Sequence, residues 1–183
     1  FPDADLTFNV AGFYNDYNNI LANTFVDIPG TTTTVVARSN AGSSRAYGLE
    51  AELAWQPLDG LKLDASGTWL NARFDEFVVS RPLAQATGFT LVPGTTNQLD
   101  LSGNTIPLSP EITLSAGASY RIDLGNGGSL TPSGRLFWSD SYFVNEFNYD
   151  AGIDGRDVGR QGSYSRTDLS LTWMSRDERL SLQ

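Results

Sequence analysis

Carboxylate pairs, one oxygen-rich loop and the aromatic and amide side chains of that loop are the groups in this chain with chemistry to offer. Glu50 and Glu52, and Asp154 and Asp157, are spaced closely enough to be drawn as general acid and base. Glu50 and Glu52 are two residues apart in an alternating run, so they share one strand face, and a solvated wall is the better reading. The segment Asn148-Tyr149-Asp150-Ala151-Gly152-Ile153-Asp154-Gly155-Arg156-Asp157 offers oxygen ligands of the kind Ca²⁺ takes, but not at EF-hand spacing, and no metal is assigned. Tyr142, Phe143, Phe147 and Tyr149, interleaved with Asn145 and Asn148 and followed by Arg156, offer flat apolar surface beside hydrogen-bonding groups. These seven residues are the candidates for contact with a small-molecule ligand. The competing reading is that the aromatics form a girdle or pack the loop on itself. Arg121, Arg135 and Arg166 either line a path for an anionic solute or balance carboxylates such as Glu50 and Glu52.

Other chemistry is closed off by composition. The 183 residues contain no His and no Cys. That removes the commonest general base, the Ser-His and Cys-His nucleophile pairs, imidazole and thiolate metal sites, and any disulfide framework. A net charge of −9 argues against binding a nucleic acid backbone. The chain is therefore read as neither an enzyme nor a holder of a cofactor.

The elements that must position these groups are strands. Ile112, Leu114, Ala116, Ala118, Tyr120, Ile122 and Leu124 alternate with Glu111, Thr113, Ser115, Gly117, Ser119, Arg121 and Asp123. Period two puts the first set on one face of a β-strand and the second on the other. The same pattern predicts strands at about 5–16 (Leu6, Phe8, Val10, Gly12, Tyr14), 45–56 (Tyr47, Leu49, Ala51, Leu53, Trp55) and from Leu61 through Trp69. It continues at about 129–143 (Leu130, Leu136, Trp138), at 163–174 (Leu169, Leu171, Trp173) and in a run cut off at Gln183. The apolar faces carry no charge in these registers; the opposite faces carry Glu50, Glu52, Lys62, Asp64, Arg121, Arg135 and Arg166. Pro132 is a departure, because proline removes a ladder hydrogen bond, and a bulge near the turn is expected to absorb it.

Connections alternate in length. Pro57-Leu58-Asp59-Gly60, Gly125-Asn126-Gly127-Gly128 and Ser175-Arg176-Asp177-Glu178 are tight turns on one side. Asn18 and Asn19 through the Thr31–Thr34 run, residues 77–108 and residues 144–162 are expected to be long loops on the other. Trp55, Tyr120 and Trp173 lie near the tight turns, while Trp69 and Trp138 lie eight residues along their strands from Leu61 and Leu130. Eight residues span ~26 Å, close to the ~25 Å apolar band that aromatic girdles bound in a membrane barrel. No stretch reaches the ~18 apolar residues of a membrane helix, so a membrane reading has to be a β-barrel. The fold class is all-β, an antiparallel up-and-down transmembrane barrel segment of about seven strands.

Ser44-Arg45-Ala46-Tyr47-Gly48-Leu49-Glu50-Ala51-Glu52-Leu53 resembles a barrel strand of TonB-dependent outer-membrane receptors, and Leu61 to Phe74 looks like the strand that follows it. Gly103-Asn104-Thr105-Ile106-Pro107-Leu108-Ser109-Pro110 is similar to the stretch before a later strand of that family, and Ser165-Arg166-Thr167-Asp168-Leu169-Ser170-Leu171 resembles one of its last strands. The resemblance implies a barrel of about 22 strands and a Gram-negative outer membrane. It implies active uptake of a scarce solute (a siderophore or other metal chelate, cobalamin or a sugar). It implies TonB as a partner through an N-terminal region with a plug domain, which this sequence does not contain. Residues 1–183 are then a partial barrel domain, without plug or final strand. Phe1 is not an initiator Met and Arg179–Gln183 stops inside an alternating run, so an internal piece of a longer protein is expected. A soluble β-sandwich acting as a carbohydrate-binding or adhesion module is the alternative, because a sandwich also keeps charge off one face. A passive porin is the third reading.

Overall fold

A computed structural model describes residues 5–27, 34–80, 90–95, 98–149 and 159–183. The strands in chain order are β1 (Asp5–Asp27), β2 (Thr34–Leu58), β3 (Leu61–Ser80), β4 (Gln98–Asp100), β5 (Ile112–Tyr120), β6 (Ile122–Asp123), β7 (Ser129–Ser139), β8 (Tyr142–Phe143), β9 (Arg160–Gln161), β10 (Tyr164–Met174) and β11 (Ser181–Leu182). The principal path is β1-β2-β3-β5-β7-β10-β11, antiparallel throughout, with β4 beside β3 and β6 beside β7. β8 and β9 form a separate small hairpin. Consecutive long strands are neighbours, as an up-and-down wall requires.

The alternating residues fall on two faces as expected, and their exposure decides between barrel and sandwich. Leu6, Phe8, Leu49, Leu114, Leu136, Leu169 and Leu171 are all exposed, Leu169 at 80 % and Phe8 at 63 %. A sandwich buries this face against a second sheet ~10 Å away; among the described residues none covers it. The sandwich alternative is overturned on this point. Registers carry the aromatics into two levels: Tyr14 stacks on Tyr47 with ring centroids 6.3 Å apart, and Tyr47 meets Trp69 edge-on at 5.9 Å. At the other level Trp55 pairs across to Leu63, Tyr120 to Leu61 and Trp173 to Leu130.

Several connections differ from expectation. The first polar stretch is not a loop over Asn18 and Asn19: β1 and β2 stay paired up to Asp27 and Thr34. Alternation breaks there because Asn19, at φ 61°, and then Ala41 are extra residues in the ladder, and each extra residue shifts side-chain parity by one. Residues 77–108 are likewise partly sheet. β3 runs on to Ser80, and Asp75 is an extra residue between Ser44↔Phe74 and Ser43↔Glu76. β4 pairs with Val78–Ser80, and backbone bonds of Leu101, Gly103, Asn104 and Ile106 continue along β3 down to Ala72. The fifth predicted strand ends at Ser139, not 143.

Ile122 lies in the short β6, separated from β5 by Arg121, whose N–H donates to the Gly60 carbonyl at 2.8 Å. Pro132 is not absorbed by a bulge. The ladder to β7 lapses between Ser119↔Ser133 and Ile122↔Leu130 with no change of register, so the missing N–H faces an unpaired gap, while β10 stays in register through Leu171↔Pro132.

The buried core lies at the long-loop end, on the face that carries Glu50 and Glu52. Phe74, Phe77, Val79, Leu99 and Leu101 form it, with Ile20, Ile106 and Phe147 packed against it. The Asp75 bulge makes it possible. Residues three apart on a regular strand point to opposite faces, yet Phe74 and Phe77 stack with centroids 4.1 Å apart and planes at 15°.

Candidate functional site

Two groups of side chains are candidates: the cap of segments at the long-loop end, and the charges along the polar face below it. In the cap, β8 pairs with β9, and the Arg160 guanidinium lies over the Phe143 ring at 5.6 Å while its Nη2 donates to Ser141 Oγ at 2.7 Å. A cation over an aromatic face within about 6 Å is attracted by the ring quadrupole. Beside this pair is a half-open cleft of about 170 Å³, lined by Arg73, Thr105, Glu111, Asp140, Tyr142 and Arg160 among others. Glu111 accepts from Trp69 Nε1 at 3.3 Å, and Arg73 Nη1 donates to the Gly103 carbonyl at 3.0 Å. The cleft therefore mixes two guanidinium groups, two carboxylates and a phenol, a set able to hold a polar ligand by several directional bonds.

The predicted contact residues divide by environment. Tyr142 and Phe143 are in β8 and line the cleft. Phe147 packs on the cap core. Asn145 Oδ1 accepts the Phe147 N–H at 3.0 Å, closing a local turn. Asn148 is engaged with Thr105 through both ends of its amide, Oδ1 accepting the Thr105 N–H at 2.6 Å and Nδ2 donating to the Thr105 carbonyl at 2.9 Å. Tyr149 is exposed. Arg156, with Asp150, Asp154 and Asp157, lies outside the described residues. Sequence reasoning missed Arg160, Arg73 and Thr105. Arg160 had a signal in its position three residues after Asp157 in the same polar loop; the other two had none without the pairing of β3 to residues 101–106.

Electrostatics in the cap are local. The Ser102 hydroxyl and backbone N–H hydrogen-bond to Asp100 and hold its carboxyl below the ordinary 3.8. The N–H bond is 3.0 Å long, and Ser102 Oγ accepts the Phe77 N–H at 3.1 Å. That serine ties β3 to the segment after β4.

Below the cap, the polar face is a row of cross-strand contacts. Arg135 on β7 reaches over β5 to Asp64 on β3, Nη2 to Oδ2 at 2.7 Å. Gly117 stands between them, and a Cβ there would lie 2.5 Å from Asp64 Oδ1, so any larger residue would make the two charged ends shift. Arg135 Nη1 also donates to Ser115 Oγ at 3.1 Å. Arg166 pairs with Asp168 at 3.4 Å and lies 5.9 Å over the Phe137 ring. Glu50 and Glu52 are exposed on the same face, in register with Thr68 and Ser66. Arg121 belongs to the short-turn rim, where it pairs with Glu178 at 3.6 Å. A Cβ on Gly48, in the Tyr47-Gly48-Leu49 run, would collide first with the Trp69 backbone carbonyl and then with the Phe13 ring, whose Cζ would stand 2.8 Å away.

Comparison with known proteins adds to this geometry. The family model described as TonB-dependent receptor-like β-barrel matches residues 1–183. Among solved structures, the ferric yersiniabactin uptake receptor FyuA from Yersinia pestis is similar at a TM-score of 0.62 and 21 % identity, over 94 % of this chain and 21 % of that one. The siderophore receptor PiuA from Acinetobacter baumannii gives 0.59 and 19 %, over 92 % and 20 %. The FrpB iron transporter from Neisseria meningitidis (F3-3 variant) gives 0.57 and 15 %, over 93 % and 22 %. At these identities the likeness speaks for the fold, and the chain spans about a fifth of the length of each. No curated protein sequence matches the chain.

Proposed function

The chain belongs to the TonB-dependent receptor-like β-barrel family, and from that premise we propose that it is wall and external cap of an outer-membrane active transporter. The parent protein takes up a scarce solute, a siderophore or similar metal chelate, with energy delivered through TonB to a part of the protein outside this chain. One observation carries the reading: a single sheet exposes its apolar face between two aromatic levels and keeps its charges on the other. A lipid-facing surface has this form, because each Arg or Lys turned to the bilayer midplane costs roughly 2–4 kcal/mol.

Within that function the polar face lines the lumen and the cap meets the solute. Tyr142, Phe143 and Tyr149 offer ring faces, and Arg160 and Arg73 offer guanidinium donors to an anionic chelate. Asn145, Phe147 and Asn148 act on the ligand through the shape they give the loop, and Arg156 adds charge to the same loop. Glu50, Glu52, Arg135 and Arg166 hydrate and polarise the lumen wall, and no catalytic step is assigned to any of them.

The experiment is uptake of ⁵⁵Fe-labelled ferric chelates, one hydroxamate and one catecholate, by cells with and without the parent gene. The reading requires uptake that disappears on loss of the gene and on loss of TonB. Uptake that persists without TonB would make the protein a passive pore.

A further inference from the structure

The side chain of Asn148 stands where a strand residue would stand beside Thr105. A strand neighbour offers one acceptor and one donor to the residue it faces; the Asn148 amide offers both, at 2.6 and 2.9 Å. Thr105 lies on the segment that continues the edge of β3, bridged to Arg73, and among the described residues no principal strand pairs with its outer side. The amide thus satisfies both outward backbone groups of Thr105, which matters most where the segment packs against other chain.

Further contacts join the same two segments. Asn104 Nδ2 donates to the Glu146 carbonyl at 2.9 Å, and the Leu108 N–H donates to the Phe143 carbonyl at 2.8 Å. Phe147 packs on the core formed with Leu99 and Leu101. Asn148 itself has a φ of 49°, a region asparagine enters more readily than other side-chain-bearing residues. Its Nδ2 also reaches the Asn145 carbonyl at 3.3 Å, so the residue ties its own turn together while it grips the neighbour.

We infer that Asn148 is a positioning residue that clamps segment 143–149 to segment 104–108, so that the two external segments move as one body and hold Tyr142 and Tyr149 in fixed relation to the polar face. The link from this clamp to solute capture rests on the function proposed above; the clamp itself does not.

Hydrogen exchange on the full-length protein in lipid nanodiscs tests it, with no solute added. Asn148→Gly keeps the left-handed backbone and removes the amide. Asn104→Ala loosens the clamp from the opposite segment. The expected result for Asn148→Gly is exchange about tenfold faster in peptides from both 104–108 and 143–149, as loss of the two hydrogen bonds to Thr105, near 0.7 kcal/mol each, would give. Asn104→Ala should accelerate the same two segments by a smaller factor, and peptides from 112–120 and 129–139 should keep native protection in both variants. A nitroxide on Tyr149→Cys should sharpen its spectrum when Asn148→Gly is added. Acceleration confined to 143–149, or native exchange in Asn148→Gly, would overturn the clamp. Because no solute is present, such a result would leave the transport reading untouched, and failed uptake would leave the clamp untouched.

Discussion

Leu49 and Leu99 belong to one sheet and stand in different surroundings. Leu49, on β2 between the aromatic levels, is 52 % exposed on the apolar face; Leu99, on β4 in the cap, is 0 % exposed on the other. Around Leu49 the strands are held by an unbroken ladder of backbone bonds, with no buried core beside them. Towards Leu99 the β2–β3 ladder is broken by the Asp75 bulge, and a cluster of apolar side chains has closed over the polar face instead. As the wall of the proposed transporter it would need no core, because lipid would take up its apolar side chains and its backbone groups pair within the sheet. The cap stands in water and has to bury its own apolar surface. In the transporter proposed above, the position of the switch, just above Trp69 and Tyr47, would mark where the membrane ends.

Leu99→Ala gives the largest expected effect. A fully buried leucine cut to alanine costs about 2–5 kcal/mol, and the loss should stay in the cap: hydrogen exchange rises in 98–106 and is unchanged in 112–120. Equal acceleration in both would erase the distinction between the regions. Leu136→Arg comes next. It places a cation on the apolar face near the middle of the band, in register with Ala116 and Thr167, at roughly 2–4 kcal/mol. Ser66→Arg, on the polar face, should change stability by about 0.5 kcal/mol or less. Urea midpoints of folding into vesicles separate the two, and equal shifts would contradict the assignment of faces.

Asp64→Asn should lower stability by at most about 1 kcal/mol, because the Arg135–Asp64 pair is half exposed on the polar face. Its sharper consequence is geometric: Arg135 loses its anchor across Gly117, which a nitroxide at Ser133→Cys would report as faster motion. The smallest effect is on pH. Asp100 titrates lower in the folded protein than in the unfolded chain. Its contribution is therefore complete above about 3.8 and is lost as pH falls through the folded value. Protection factors in 98–106 should fall on acidification below that point, and Ser102→Ala should flatten the response.

Period two made the wall legible from sequence alone. Every residue from Leu61 to Trp69 and from Ile112 to Tyr120 takes the face its alternation predicts. The cap was illegible for a physical reason. Asn19, Ala41 and Asp75 each add one residue to a ladder, so pairing goes on while the pattern that announces it stops. Phe74 and Phe77 read as mismatched in period and become stacked partners only because of the bulge between them. Asn148 was visible as a polar loop residue, but its role depends on Thr105, 43 residues earlier, and no local signal encodes that contact.

A scan of nitroxide labels along residues 111–120 of the full-length protein in lipid vesicles tests the account most directly. Collisions with oxygen, which concentrates in lipid, are compared with collisions with a water-soluble nickel chelate. A membrane wall gives alternation: oxygen dominant at Ile112, Leu114, Ala116 and Ala118, and nickel dominant at Thr113, Ser115, Gly117 and Ser119. Equal access at neighbouring positions, or an apolar face reached by neither reagent, would contradict a membrane wall.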